Sequence, residues 1–297
     1  MQKQITIDSA PEIMKNPSSN LGKVYLVGAG PGAADLITLR GARLLAQADI
    51  VFHDSLVEPE MLDLCPQAIK VAVGKRCGKL SSAQQFINKR LIDASKQHQT
   101  IVRLKGGDPM LFGRADEEIR ALKAIGVEVE VVPGITAALA GAASLQQSLT
   151  LREISRSVAF ITLAQAAESS NASSNQDKPQ PISNPSADTL VYYMGRKDAA
   201  KIAQQLIEQS PNQNTDTPAH IMEAVSTKRE RLWSSTLGEL ADGKANNWFD
   251  SASPALIMIG EALRKTAKAE KSSESPSSEI DNSLQDGQVF ANGLRRA

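Results

Sequence analysis

Two glycine-rich exits from short β-branched runs are where this chain's backbone could approach a ligand most closely. Gly28-Ala29-Gly30-Pro31-Gly32 follows residues 24–27 directly, and Gly28-x-Gly30-x-x-Ala33 fits the G-x-G-x-x-G/A form of a dinucleotide turn. That match alone decides little, because Pro31 lacks the N–H a pyrophosphate would use, and a tight turn holding no ligand fits as well. The second exit is Arg103-Leu104-Lys105-Gly106-Gly107-Asp108-Pro109, where two glycines admit close approach, Asp108 can accept hydrogen bonds and Pro109 fixes the way out. A plain turn does not explain why two such exits occur in one sheet. Asp54, in His53-Asp54-Ser55-Leu56-Val57, and Lys75, in Val73-Gly74-Lys75-Arg76, stand at the same kind of position after neighbouring runs. One can take a proton and the other can give one. Either alone is ordinarily a solvated or capping group, so it is their shared placement at the ligand edge that makes them an acid–base candidate. His53 beside Asp54 has the place of a proton shuttle, yet a lone His on a strand is more often packed or solvated.

The elements that must position these residues alternate. Strands are expected at residues 24–27, 49–52, 68–73, 100–104 and 127–132. Helices are expected at 36–48, at 81–96 with Ser81 as N-cap and Phe86, Ile87, Leu91 and Ala94 inward, and at 115–125. This βαβα rhythm predicts a largely parallel α/β sheet, with ligands outside the carboxyl ends of its strands. Pro133-Gly134 breaks the rhythm, and a helix of small residues follows at 135–146, so a domain boundary is placed there. A second set, strands at 158–163, 190–193, 219–222, 231–234 and 256–259 with a helix at 199–208, predicts a second α/β domain with some antiparallel pairing.

Composition bounds the partners. Lys plus Arg and Asp plus Glu both number 33, so no global field holds nucleic acid or an acidic membrane, and any basic site is local. Two cysteines, Cys65 and Cys77, and three scattered histidines argue against a disulfide scaffold and a zinc or other metal centre. Without an apolar leader or a long apolar run the chain is expected to be soluble and cytoplasmic. Residues 1–20, 166–187 and 265–297 are rich in polar and small residues and are expected to be unordered.

Taken in order, Val24 to Gly32, Asp54-Ser55-Leu56-Val57, Val73-Gly74-Lys75-Arg76-Cys77-Gly78, Arg103 to Pro109 with Phe112-Gly113-Arg114, Val131-Val132-Pro133-Gly134-Ile135-Thr136-Ala137, and Tyr193-Met194-Gly195 resemble the tetrapyrrole methylase family, in its branch acting on uroporphyrinogen III. The resemblance spans about residues 21–264. It implies two α/β domains, 21–133 and 134–264, with S-adenosylmethionine in the cleft between them, and a homodimer. It implies C-methylation of uroporphyrinogen III through precorrin-1 to precorrin-2, toward sirohaem and cobalamin. By matching position, Pro31, Gly106, Gly107, Asp108, Leu111, Thr136, Ala137 and Met194 are cofactor contacts, as is Val225 where the family commonly has glycine. Asp54 matches the proton acceptor and Lys75 the proton donor. The polycarboxylate substrate calls for local cations, and Arg40, Arg76, Arg114 and Arg152 are the candidates, with Lys79 and Arg156 beside them. Thr150-Leu151-Arg152-Glu153-Ile154 keeps the Arg of the family's Thr-His-Arg-Asp-Tyr but not its His or Tyr, and Thr162-Leu163-Ala164 replaces Thr-Gly-His.

Two other functions fit parts of the pattern: an NAD-dependent oxidoreductase built on the Gly28 turn, and a non-catalytic tetrapyrrole carrier. The polar segments yield a first prediction. Deleting residues 166–187, or ending the chain after residue 264, leaves the melting temperature within a few degrees of the full chain in calorimetry, since residues that bury little stabilise little.

Overall fold

Parallel strands covered on both faces need near-continuous apolar runs, and the first half of the chain supplies them. The structure, a computed structural model, describes residues 21–73, 80–162 and 186–265. Strands β1 (Lys23–Gly28), β2 (Ile50–His53), β3 (Ile69–Ala72), β4 (Thr100–Lys105) and β5 (Val129–Val132) form one sheet in the order β3-β2-β4-β1-β5. Every pairing in it is parallel. Side chains alternate between two cores. Val24, Leu26, Ile50, Phe52 and Ile101 pack under helices α2 (Leu80–Ser95) and α3 (Ala115–Lys123) through Leu91, Ala94 and Leu122. Val27, Val51, Val102 and Leu104 face the other way, onto Leu45 of α1 (Leu39–Gln47) and onto Met61 and Cys65.

The second sheet is built from β6 (Val158–Thr162), β7 (Thr189–Tyr193), β8 (Pro218–Glu223), β9 (Arg231–Thr236) and β10 (Ala255–Ile259), in the order β6-β7-β10-β8-β9. Only β6 and β7 run parallel; the other pairs are antiparallel, as the sequence pattern predicts. Helices α5 (Ala199–Gln209) and α6 (Leu237–Ala241) cover one face. Helix α4 (Ala137–Leu145) covers the other, where Ala138, Ala140 and Leu145 pack on Val191, Met222, Leu256 and Met258. Both sheets belong to one compact unit that ends at Arg264.

Four local expectations need correction. The helix predicted from residue 36 begins at Leu39, because Ala34–Leu36 is a tighter 3₁₀ turn and Thr38 caps α1 by accepting from the Gly41 N–H at 3.1 Å. Ser81 falls inside α2 rather than at its cap. Phe86 is exposed, with the Arg90 guanidinium over its ring, so α2 packs through Ile87, Leu91 and Ala94. Helix α6 went unpredicted although Thr236-x-x-Glu239 is a capping signature, and Thr236 does accept from the Glu239 N–H. Residues 1–20, most of 166–187 and 266–297 lie outside the described residues. Ala187, at the end of the second of these, is buried in the α5 core, so the tolerated deletion stops at residue 185.

Each sheet registers one parallel pair with an aspartate at its amino edge. Asp49, preceding β2, accepts from the Gln99 and Thr100 N–H groups that open β4. Asp188, preceding β7, accepts from the Arg156 and Ser157 N–H groups that open β6, and from the Ser157 hydroxyl. Hydrogen bonds from the Thr100 amide, for Asp49, and from the Ser157 hydroxyl, for Asp188, hold both carboxyls below the usual range. A depressed folded-state pKa means the unfolded chain binds protons first, so this stabilisation is complete above the ordinary carboxylate range and is lost as pH falls through the folded values. The paired variant Asp49→Asn/Asp188→Asn therefore melts lower than the parent at pH 7. The gap closes as pH drops below about 4, where the parent's carboxyls protonate too. Calorimetry across pH 3 to 7 checks this, and a gap independent of pH contradicts it.

Candidate active site

Three strand exits meet backbone to backbone at the carboxyl edge of the first sheet. The Ala29 N–H donates to the Lys105 carbonyl at 2.8 Å, and Gly30 and Gly107 exchange N–H to carbonyl bonds at 3.2 and 2.7 Å. A Cβ added to Gly28 would lie 2.6 Å from Gly134 Cα and 2.7 Å from the Gly107 oxygen, so no larger residue fits there. Gly107 has φ +69°, and a Cβ on it would meet only Thr136 Cα at 3.9 Å. Where a side chain would stand, Gly107 thus meets nothing tighter than an ordinary contact, while its carbonyl is pressed against Gly28 and Gly134. Asp108 ties the β4 exit to the β5 exit: Oδ1 accepts from the Met110 N–H at 2.7 Å and Oδ2 from the Gly134 N–H at 2.9 Å. Leu111 sits in the same turn, donating its N–H to the Asp108 carbonyl.

Beside this cradle stands a group of four charges. Arg103 and Lys105 alternate with Leu104 along β4, so both point to the α2/α3 face. Glu118 of α3 meets them there, accepting from Arg103 Nε at 3.1 Å through Oε1 and from Lys105 Nζ at 3.0 Å through Oε2. Gln84 of α2 also donates to Glu118. Arg103 Nη2 donates to Asp54 Oδ1 at 2.5 Å, and Asp54 Oδ2 faces the Gly106 N–H at 3.4 Å. The side chains of Arg103 and Lys105 are 3% exposed and that of Glu118 is 0% exposed, whereas Asp54 reaches solvent at 27%. Burial pulls the Lys105 ammonium below its ordinary value, and the Arg103 charge adds to that. Burial disfavours the charged Arg103 as well, but Asp54 and Glu118 together outweigh it and raise its pKa.

The second sheet completes the edge. Tyr193, at the end of β7, places its hydroxyl 2.6 Å from Thr136 Oγ1 and accepts from the Ala138 N–H at 3.1 Å, capping α4 in place of the Thr136 side chain. Burial pushes the Tyr193 hydroxyl's pKa up, so it stays protonated. Phe112 of the β4–α3 loop packs on the Tyr193 ring at 5.1 Å. Near the first exit, the Ala33 N–H donates to Ser226 Oγ, and a Cβ on Gly32 would lie 2.9 Å from the Val225 carbonyl. Gly30's N–H and carbonyl are both taken by Gly107, and α1 starts only at Leu39. Pro31 has no N–H and the Ala33 N–H goes to Ser226, so Gly30, Pro31 and Ala33 offer no amide N–H to a pyrophosphate and no α-helix opens at this exit, which argues against the NAD reading.

Residues 23–241 match the family described as Tetrapyrrole (Corrin/Porphyrin) Methylases. The chain belongs to that family. The uroporphyrinogen-III C-methyltransferase of Pseudomonas aeruginosa is 42% identical over 246 residues, 82% of this chain and 95% of that protein. The siroheme synthase of Stutzerimonas stutzeri is 41% identical over 249 residues, 84% of this chain and 51% of that protein. The chain thus spans about half the length of the siroheme synthases it matches. Among solved structures, the uroporphyrin-III C-methyl transferase from Thermus thermophilus complexed with S-adenyl homocysteine has a TM-score of 0.66 at 36% identity, covering 82% of this chain and 99% of that one.

Of the residues that family resemblance singles out, the structure gathers Asp54, Gly106, Gly107, Asp108, Leu111, Thr136 and Ala137 along one edge. Met194, 56% exposed with φ +58°, follows Tyr193, and Pro31 and Val225 flank the contact of Gly32 with residues 225–227. Lys75, Arg76 and Lys79 lie outside the described residues. Arg114 grips Glu117 through two bonds of 2.7 and 2.8 Å. Arg40 pairs with Glu130 at 3.5 Å, and Arg152, 94% exposed, faces Glu153 at 3.7 Å. Among the described residues, neither Arg40 nor Arg152 makes an ion pair with the edge cluster. A groove of about 550 Å³ between α4 and β6, lined by Leu139, Leu149, Val158 and Phe160 among others, contains no titratable side chain.

The sequence motifs contain Arg103 and Tyr193 without giving either a task, and Glu118 lies in none of them. A signal was present: two cations on one face of a strand buried on both faces require an anion opposite them. Tyr193 generates a prediction of its own. Tyr193→Phe removes the cap of α4 while keeping the ring stack, so urea unfolding reports a loss of about 1 kcal/mol, the usual value of a lost helix cap.

Proposed function

We propose that the protein methylates ring carbons of uroporphyrinogen III with S-adenosylmethionine, taking it through precorrin-1 to precorrin-2 on the route to sirohaem and cobalamin. One observation carries the reading: Asp54, the only solvent-reaching member of an otherwise buried charge group, stands at the Gly106-Gly107 cradle with Oδ2 3.4 Å from the Gly106 N–H. That cradle fits the cofactor, since Gly107, at φ +69°, presents bare backbone where an added Cβ would meet only Thr136 Cα at 3.9 Å, and Thr136 also carries a hydroxyl there. S-adenosylmethionine, when bound, supplies an electrophilic sulfonium methyl. The chain's part is to hold the two reactants in line, where orientation provides most of the rate, and to take the proton the tetrapyrrole loses. Pro31, Gly106, Gly107, Asp108, Leu111, Thr136, Ala137, Met194 and Val225 hold the cofactor in this reading. Asp54 accepts the proton and Lys75 returns one. Arg40, Arg76, Arg114 and Arg152 meet substrate carboxylates. The protein works as a homodimer in the cytoplasm.

Anaerobic incubation with uroporphyrinogen III and S-adenosylmethionine, followed by mass spectrometry, tests the reaction: products heavier by one and then two methyl groups are expected. Unmodified substrate together with tight substrate binding would instead identify a carrier. Asp54→Asn keeps the shape and one hydrogen-bond acceptor but cannot take the proton. Its turnover falls about 10² to 10⁴-fold, the range for a positioned base, while calorimetric affinity for S-adenosylhomocysteine holds. Full turnover in this variant shows that another group takes the proton.

A further inference from the structure

Arg103 has no part in any step above, yet it is the most fully engaged side chain near the site. Its Nε donates to Glu118, its Nη1 to the carbonyls of Leu104 at 3.0 Å and Phe52 at 3.5 Å, and its Nη2 to Asp54 at 2.5 Å. Four of the five N–H groups of the guanidinium are thereby directed, which leaves it no rotational freedom. Two of those bonds go to β2, one to the backbone at Phe52 and one to the Asp54 side chain that follows the strand. Glu118 fixes the other end of the fork, and Lys105 on its second oxygen balances the charge of the group.

A buried ion pair is weak evidence for stability, because desolvation offsets most of its attraction, and apolar side chains would hold β4 against α3 as well. What apolar side chains cannot do is fix a carboxylate at one point of a solvent-facing edge. We propose that Arg103 is a positioning residue for Asp54: it holds the carboxylate in a single orientation beside the Gly106-Gly107 cradle, and Glu118 holds Arg103 in turn. The proposal rests on the reading of Asp54 as proton acceptor. Lysine cannot replace the fork, because one ammonium cannot span Glu118, two carbonyls and Asp54.

The experiment is a double-mutant cycle in the full chain, pairing Arg103→Lys with Asp54→Asn. Arg103→Lys keeps the charge and is expected to lower kcat about tenfold to a hundredfold, as a misplaced catalytic group does, with KM for both substrates changed less than about threefold. In the Asp54→Asn background the same replacement should cost less than about twofold further, because the group it positions no longer takes the proton. Equal fold losses in both backgrounds, or a rise in KM at unchanged kcat, overturn the positioning role while leaving the acceptor reading in place. Full turnover of Asp54→Asn alone removes the acceptor reading, and this proposal with it. Calorimetric binding of S-adenosylhomocysteine reports whether each variant is folded at the cradle. If Arg103→Lys does not fold, Glu118→Gln carries the cycle: it keeps an acceptor for Nε but loosens the fork. A kcat loss that disappears in the Asp54→Asn background supports the proposal, and an additive one overturns it.

Discussion

Everything at the carboxyl edge depends on the contact of three backbones, at Gly28, Gly107 and Gly134. Their α-carbons approach so closely that a side chain on Gly28 or Gly134 would overlap the main chain of its neighbours. That approach lets Gly30 and Gly107 exchange hydrogen bonds between loops that a parallel sheet would otherwise leave splayed apart. It also sets the distance from β4 to β5 that Asp108 spans with a single carboxylate. The cradle is rigid because its parts touch at the backbone, where no rotamer can relax.

The group of four charges, three of them buried, follows from the same geometry. β4 lies at the centre of the sheet, so the end of the strand that feeds the cradle is also its most covered part. Placing Arg103 and Lys105 there imposes a desolvation cost that only anions in contact can offset. Glu118, from a helix that begins just after the cradle loop, provides one, and Asp54 from the adjacent strand provides the other. Loop, strand and helix are thereby locked to each other by charge on one face and by backbone contact at the edge.

How much of this was readable in advance divides along physical lines. The strands of both sheets and the glycine exits were legible because β-branched runs and paired glycines act locally. Where prediction failed, a short-range competitor had won: Thr38 capped α1 ahead of its apolar pattern, and α6 is too short to show a period. The edge residues came from the glycines and the family resemblance, but the roles of Glu118 and Tyr193 depend on pairings across 15 and 57 residues. No local pattern encodes which strand end an arginine will face, or which helix a tyrosine hydroxyl will cap.

Val225 shows how the edge tolerates change in one direction and not another. The family commonly has glycine at this position, and a valine there could have closed the site. Its side chain instead packs in the core beneath α4, with Ala138, Val191 and Met222. What it turns toward the first exit is its carbonyl, close enough to exclude a side chain at Gly32. The neighbouring residues Ala224 and Ser226 take positive φ, 47° and 63°, so the loop is held in the conformation glycine adopts most readily. A contact made by the main chain survives replacement of the side chain, provided the new side chain has a core to enter. Gly28 and Gly134 have no such recourse, because the direction their Cβ would take is filled by another backbone.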